Sequence, residues 1–202
     1  MIKWRGASFQ DRSFRTEDLC GAMLDDCQFE RCDFASTRWT EAALRDCSFS
    51  ACAFRGTDLS GIDASACSFL NCDFRGATAL LGGVLRECRM TGSSFAEADL
   101  PGLEIAGGDW SLTSLAGLDL RQRHLGALRL READLARCNL MKADLRGADL
   151  RQALLAGAKL RGADLRGANL EGVDLSGLDL HGVRLDLDGA AALARSLGAI
   201  LD

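Results

Sequence analysis

Residues 143–180 read ADLRGADLRQALLAGAKLRGADLRGANLEGVDLSGLDL, with leucine in the third place of every five-residue block. The same register runs forward to Leu185 and back through Leu130, Leu120, Trp110, Phe95 and Leu85 to Leu80. One extra residue then shifts it, and it resumes at Phe74 and continues in steps of five to Trp4. Of the 37 centres so defined only Ala64 is not large and apolar, and all nine phenylalanines and all three tryptophans stand on centres. A fixed period of this kind decides the architecture before secondary structure is considered.

Five residues match neither the helical stripe nor the strand alternation. They match a backbone that turns a corner in every block. The residue two before each centre is usually small, as at Ala133, Cys138, Ala143, Ala148, Ala153, Ala158, Ala163 and Ala168. A large centre and a small companion then both point inward and fill a narrow core, while the other three positions face water. The number of sides follows from the phenylalanines, which pair at 9/14, 29/34, 49/54 and 69/74, and from the cysteines, which pair at 27/32, 47/52 and 67/72. Both sets repeat after twenty residues, so four sides make one turn and like side chains stack in ladders, the core of a parallel β-solenoid. The expected fold is therefore all-β, a right-handed four-sided parallel β-helix of about nine coils. At ~4.8 Å per coil its length is roughly 45 Å.

The chain is 48% hydrophobic and 26% charged, with 22 glycines, one proline (Pro101) and a net charge of −5. That composition is globular. No apolar stretch reaches the length of a membrane span and MIKWRGASF carries no signal region, which predicts a soluble cytoplasmic protein without a membrane partner. The acidic balance disfavours nucleic acid as a direct partner. Two histidines, His124 and His181, lie far apart, and no glycine-rich phosphate loop precedes a helix. A filled coil offers no ligand-sized pocket. An enzyme is not expected, and neither a cofactor nor a metal site. Eight of the nine cysteines sit two before a centre, where alanine sits elsewhere, and are read as buried small hydrophobes rather than metal ligands; Cys20 is expected outside.

The A(D/N)LXX pattern, carried by ADLRG, ANLEG and ADLAR, resembles that of the pentapeptide-repeat proteins over residues 2 to 186. Within them the chain looks similar to the quinolone-resistance subgroup of Qnr and mycobacterial MfpA type. The likeness rests on the C-x-F runs of the N-terminal half, on DWSLTSLAGLDLR from Asp109 to Arg121, and on the ending VRLDLDGAAALARSLGAILD. It implies a right-handed quadrilateral β-helix and binding to DNA gyrase and topoisomerase IV. It also implies a C-terminal module that pairs two monomers end to end. The Qnr proteins of Gram-negative bacteria carry two loops important for protection, whereas this register leaves room for a single inserted residue near Ala77, as in a loopless MfpA-like form.

The chain is accordingly divided into a β-helix at 1–187, with its register shift at 75–79, and a C-terminal module at 188–202. Asp188 is the expected N-cap of a short helix whose face is Ala190, Leu193, Ala194 and Leu197, and Gly198 the expected stop. Such a helix caps the last coil. With the resemblance it is also expected to form a homodimer through Leu193, Leu197, Ile200 and Leu201. Net charge runs −4 over residues 1–100, −3 over 101–120, +6 over 121–167 and −4 over 168–202. Asp99, Asp119, Asp174 and Asp179 are the candidate acidic residues facing a topoisomerase. Two such rods end to end would span about 90 Å, comparable to ~26 base pairs of duplex. The functional expectation is a DNA mimic that protects gyrase or topoisomerase IV from poisons. A structural or scaffolding role toward an unrelated protein is the alternative.

Overall fold

The computed structural model describes residues 1–79 and 81–201; Leu80 and Asp202 lie outside them. The chain separates into two units, Met1–Asp109 and Trp110–Asp202. Each is a right-handed, four-sided parallel β-solenoid, and the second ends in a helix.

In the first unit, two adjacent sides are built of true strands. One side stacks β1 (Lys3–Arg5), β3 (Met23–Asp25), β5 (Ala43–Arg45) and β7 (Asp63–Ser65); the next stacks β2 (Ser8–Gln10), β4 (Gln28–Glu30), β6 (Ser48–Ser50) and β8 (Ser68–Leu70). β9 (Val84–Arg89) and β10 (Glu104–Asp109) run through the corner and join both stacks into one sheet. All partners are parallel, and up to β7 and β8 they keep the twenty-residue register read from the sequence, Phe9 on Phe29 and Phe29 on Phe49. The remaining two sides are held by single bridges such as Ser13 to Asp33 and Asp33 to Ala53.

Strand sides and bridge-only sides differ at their corners. Corners on the bridge-only sides are closed by a backbone bond across four residues, for example the Ala22 N–H to the Leu19 carbonyl (3.1 Å). In the coils that carry the 27/32, 47/52 and 67/72 pairs, a cysteine follows the corners between and after the strand sides, and its thiol donates to the carbonyl two residues before it. Ala7 and Arg12 hold those places in the first coil. Cys27 reaches Asp25, Cys47 reaches Arg45 and Cys52 reaches Ser50 at 3.2–3.4 Å. An open corner lets the strand keep its length. In the second unit the corners around the coil are closed ones, and its sides shrink to bridges, His124 to Asp144 to Asp164 to Arg184 on one side. Regular strand therefore defines about five turns, fewer than the nine coils expected.

Inside the first unit, the phenylalanine ladders form as read. Phe29, Phe49 and Phe69 stack at 4.7 Å with nearly parallel rings, and Phe34, Phe54 and Phe74 at 4.7–5.0 Å. Phe95 extends the second ladder at 4.8 Å. The eight cysteines read as core are buried, and Cys20 is half-buried rather than outside. Burial raises the thiols of Cys27, Cys32 and Cys138, the last to about 11.

Two boundaries move. Asp58 still pairs with Thr78, twenty residues on, whereas Asp63 pairs with Val84, twenty-one on. The extra residue thus follows Thr78 and does not fall within 75–79. The cause is that Ala79 takes the centre, wholly buried, with its N–H on the Asp99 carbonyl. Gly82 and Gly83, at φ +82° and +124°, carry the bulge and leave Leu81 80% exposed. The core of this region holds a void of about 10 Å³ among apolar residues that include Trp39, Leu59 and Leu85.

The helix α1 spans Leu187–Ser196 with Asp186, not Asp188, as N-cap. Asp186 is extended, accepts the Gly189 N–H at 2.9 Å, and also takes the Gly167 N–H from the coil beneath. That second bond selects it. Asp188 lies in the first turn, where its charge favours the positive helix end.

Truncating Phe54, ladder-stacked on both sides, is expected to cost about 3–5 kcal/mol as Phe54→Ala. Phe9→Ala, at the half-buried first rung, should cost clearly less; urea titrations followed by circular dichroism measure both.

Candidate protein-binding surface

Each repeat sends three side chains outward: one before the centre and two after it. Where the first is aspartate and the second arginine, they lock together. Asp164 accepts the Arg166 backbone N–H at 3.3 Å and takes its guanidinium through two bonds of 2.8 and 2.6 Å. The same clamp forms at Asp144–Arg146 and Asp149–Arg151, and at Asp73–Arg75 and Asp119–Arg121. The short spacing forces it, because the aspartate already folds back over the next amide and presents its free oxygen to the following side chain. Arginine hydrogen bonding holds Asp164 at about 2 and puts Asp144 and Asp73 well below the ordinary carboxylate range.

These clamps change how the charge of residues 121–167 is read. Arg121, Arg146, Arg151 and Arg166 each face a carboxylate of their own repeat, and Arg131 faces Glu132. The net +6 of the band already counts its own carboxylates, so the clamps fix where its charge is paired without changing that sum.

Of the acidic residues singled out, all four are exposed. Asp99 lies in the first unit, paired in register with Thr78. Asp119 is clamped to Arg121, while Asp174 and Asp179 accept the backbone N–H groups of Ser176 and His181. In the second unit, Asp119 and Asp179 share one file with Asn139 and Lys159, and the lysine interrupts it. Asp174 stands on the neighbouring side.

The family model for pentapeptide repeats matches residues 18–50, 42–78, 124–157 and 148–186, eight copies in all. This chain belongs to the pentapeptide-repeat family. Among solved structures, two trypsin-treated forms of QnrB1, a plasmid-mediated fluoroquinolone resistance protein, are similar with TM-scores of 0.85 and 0.80. Identity is 23% and 22%, covering 99% and 100% of this chain and all of theirs. Full-length QnrB1 gives 0.68 at 21% identity over 98% of this chain and all of that one. A search of curated proteins gives no match.

At the end of this pentapeptide-repeat chain, α1 lies over the last coil. Gly189 is its buried residue, because a Cβ there would meet the Leu185 side chain at 2.9 Å. The expected face is only partly covered: Leu193 and Ala194 are half-buried, whereas Ala190 and Leu197 are exposed. Leu197, Ile200 and Leu201 are 67, 91 and 44% exposed. An open cleft of about 780 Å³ separates the helix from residues 167–174. Among the described residues, the Leu170 and Gly172 amides on that edge have no backbone partner. Among the described residues, no group of histidine, cysteine and acidic side chains is arranged to hold a metal. No helix among them is long and apolar enough to cross a membrane.

The clamps were missed in the sequence, although D-L-R was written openly in it. Asp164→Asn tests them, since Asn169 accepts the equivalent backbone N–H and the change removes only the charge. The folded carboxyl is depressed, so its stabilisation is present above about pH 4 and is lost as pH falls through about 2. The melting-temperature gap between wild type and Asp164→Asn should close over that interval in thermal scans.

Proposed function

We propose that this pentapeptide-repeat protein is a homodimeric binding protein for a type II topoisomerase, DNA gyrase and/or topoisomerase IV. In this reading its surface stands in for duplex DNA and shields the enzyme from fluoroquinolones or natural poisons. The observation that carries it is the whole-chain likeness in fold to QnrB1, a fluoroquinolone resistance protein. The filled core agrees with it, since apolar centres and small companions leave the outer surface as the place for function. The closer superposition on the trypsin-treated forms agrees with a chain that departs from its register by one residue.

Dimerisation through the C-terminal module is supported by three exposed apolar residues, Leu197, Ile200 and Leu201, beside an uncovered β-edge at Leu170 and Gly172. An open edge and an apolar tail are both liabilities unless something covers them. Candidate contacts with the enzyme are Asp99, Asp119, Asp174 and Asp179. The clamped charges favour a second reading, a scaffold for an unrelated protein, because a self-neutralised surface imitates DNA less well.

A supercoiling assay with purified gyrase and ciprofloxacin tests the proposal, and added protein is expected to restore supercoiling or to inhibit it in a dose-dependent way. No effect at any dose overturns the topoisomerase reading and leaves the scaffold. Separately, Leu197→Asp with Ile200→Asp is expected to convert a dimer into a folded monomer in sedimentation, because both side chains are already exposed. A wild type that sediments as a monomer at micromolar concentration removes the dimer.

A further inference from the structure

Within residues 121–167, two repeats place a cation where the clamped repeats carry aspartate: Arg129-Leu130-Arg131, whose Arg131 still meets Glu132, and Lys159-Leu160-Arg161. Lys159-Leu160-Arg161 places lysine where Asp164, Asp149 and Asp144 stand in the clamped repeats. The carboxylate that would hold Arg161 is replaced by a like charge. In the coil beneath, the equivalent pair is Asn139 and Met141, followed by Lys142. The Lys142 N–H bonds the Arg161 carbonyl at 3.0 Å, and the Leu140 N–H bonds that of Lys159 at 2.9 Å, so these residues lie on adjacent rungs. Arg137 stands at the corner leading into the same side.

All four cations are exposed, and none takes part in an ion pair among the described residues. Glycines in the next rung leave room for two of them. The Arg137 stem passes 3.5 Å from where a Cβ of Gly157 would stand, and the Lys142 stem 3.3 Å from that of Gly162. The surrounding carboxylates are committed elsewhere: Asp119 to Arg121, Asp134 to the Ala136 N–H, and Asp179 to the His181 N–H. Clustered like charges do nothing for the fold, whereas Arg121, Arg146, Arg151 and Arg166 are each held by a carboxylate of their own repeat.

We propose that Arg137, Lys142, Lys159 and Arg161 form a docking surface for an acidic protein segment. Charge complementarity and the size of the patch select this occupant. A DNA duplex engages several phosphates along a continuous line, ~6–10 in a typical complex. Here Asp119 and Asp179 stand in the same file on either side of the four cations and would oppose such a line. A segment with a few carboxylates fits between them. This surface does not depend on the topoisomerase reading, because its test contains no topoisomerase.

The test is fluorescence anisotropy at low salt with the full chain and a labelled peptide of alternating glutamate and glycine. Lys142→Glu with Arg161→Glu is expected to weaken binding by about tenfold or more, equivalent to about 1.4 kcal/mol. Arg129→Glu, on another side, is expected to leave affinity within about twofold. Folding should survive, because Glu132 holds the same φ of +57° as Lys142 and Glu171 occupies the place of Arg161 after its own centre; circular dichroism checks it. The proposal is overturned if the wild type does not bind the peptide, or if the double variant binds as well as wild type. It is also overturned if mixed-sequence duplex DNA binds more tightly than the peptide and loses affinity in the same variant.

Discussion

The constraint on which everything else rests is the hydrogen-bond register between successive rungs. Each centre offers its N–H to a carbonyl nineteen residues ahead, Phe34 to Ala53 and Leu145 to Asp164. Once that spacing holds, side chains at equal positions must stack, and a ladder of identical rings becomes the cheapest way to fill a narrow core. The same spacing makes an insertion costly unless it is confined to a corner. Gly82 and Gly83 confine it, with Ala79 giving up volume at the centre beside them. Corners elsewhere require a left-handed residue, and many are not glycine: Asp26, Glu41, Arg137 and Lys142 all sit near φ +50° to +58°. Such residues lean over the rung that follows. Where that rung is tight, glycine appears, as at Gly61 against Glu41 and Gly162 against Lys142.

Register also organises the surface. A side chain before a centre and another two residues later lie within reach of each other on the same rung, so aspartate and arginine in those places neutralise one another. Exposed pairs of this kind contribute little stability individually. Their larger effect is on what a partner meets. Five clamped arginines present a paired charge, whereas a lysine in the aspartate position leaves two cations unmatched.

Much of the fold was legible because period five is incompatible with any other regular structure. The four sides, the Phe29–Phe49–Phe69 ladder and the buried cysteine column all follow from spacing alone. What spacing does not carry is the local energy that chooses between equivalent positions. Spacing does not mark Ala79 as a centre, and it is the backbone bond from its N–H to Asp99 that places it there. Asp188 is the expected N-cap, and Asp186 takes the place because the Gly167 amide waits in the coil below. The difference between strand and bridge sides lies in how the corners are bonded, which spacing does not reveal. The charge of residues 121–167 was counted correctly and its pairing overlooked, since a sum of charges has no geometry.

A repeat that satisfies its own hydrogen bonds, fills its own core and neutralises its own arginines has little left with which to recognise anything. Specificity in such a molecule must come from positions where the repeat is broken. Three breaks are visible: Leu81 raised on its glycine bulge, the Lys159–Arg161 repeat without its carboxylate, and the apolar tail from Leu197 to Leu201. None of them improves the solenoid that carries it. Leu81 exposes apolar surface, Lys159 adds repulsion, and the tail lies beside an unpaired edge. Features that cost the fold and persist at its surface are where binding has to be sought, and the regular stretches between them serve to hold those features at fixed rungs.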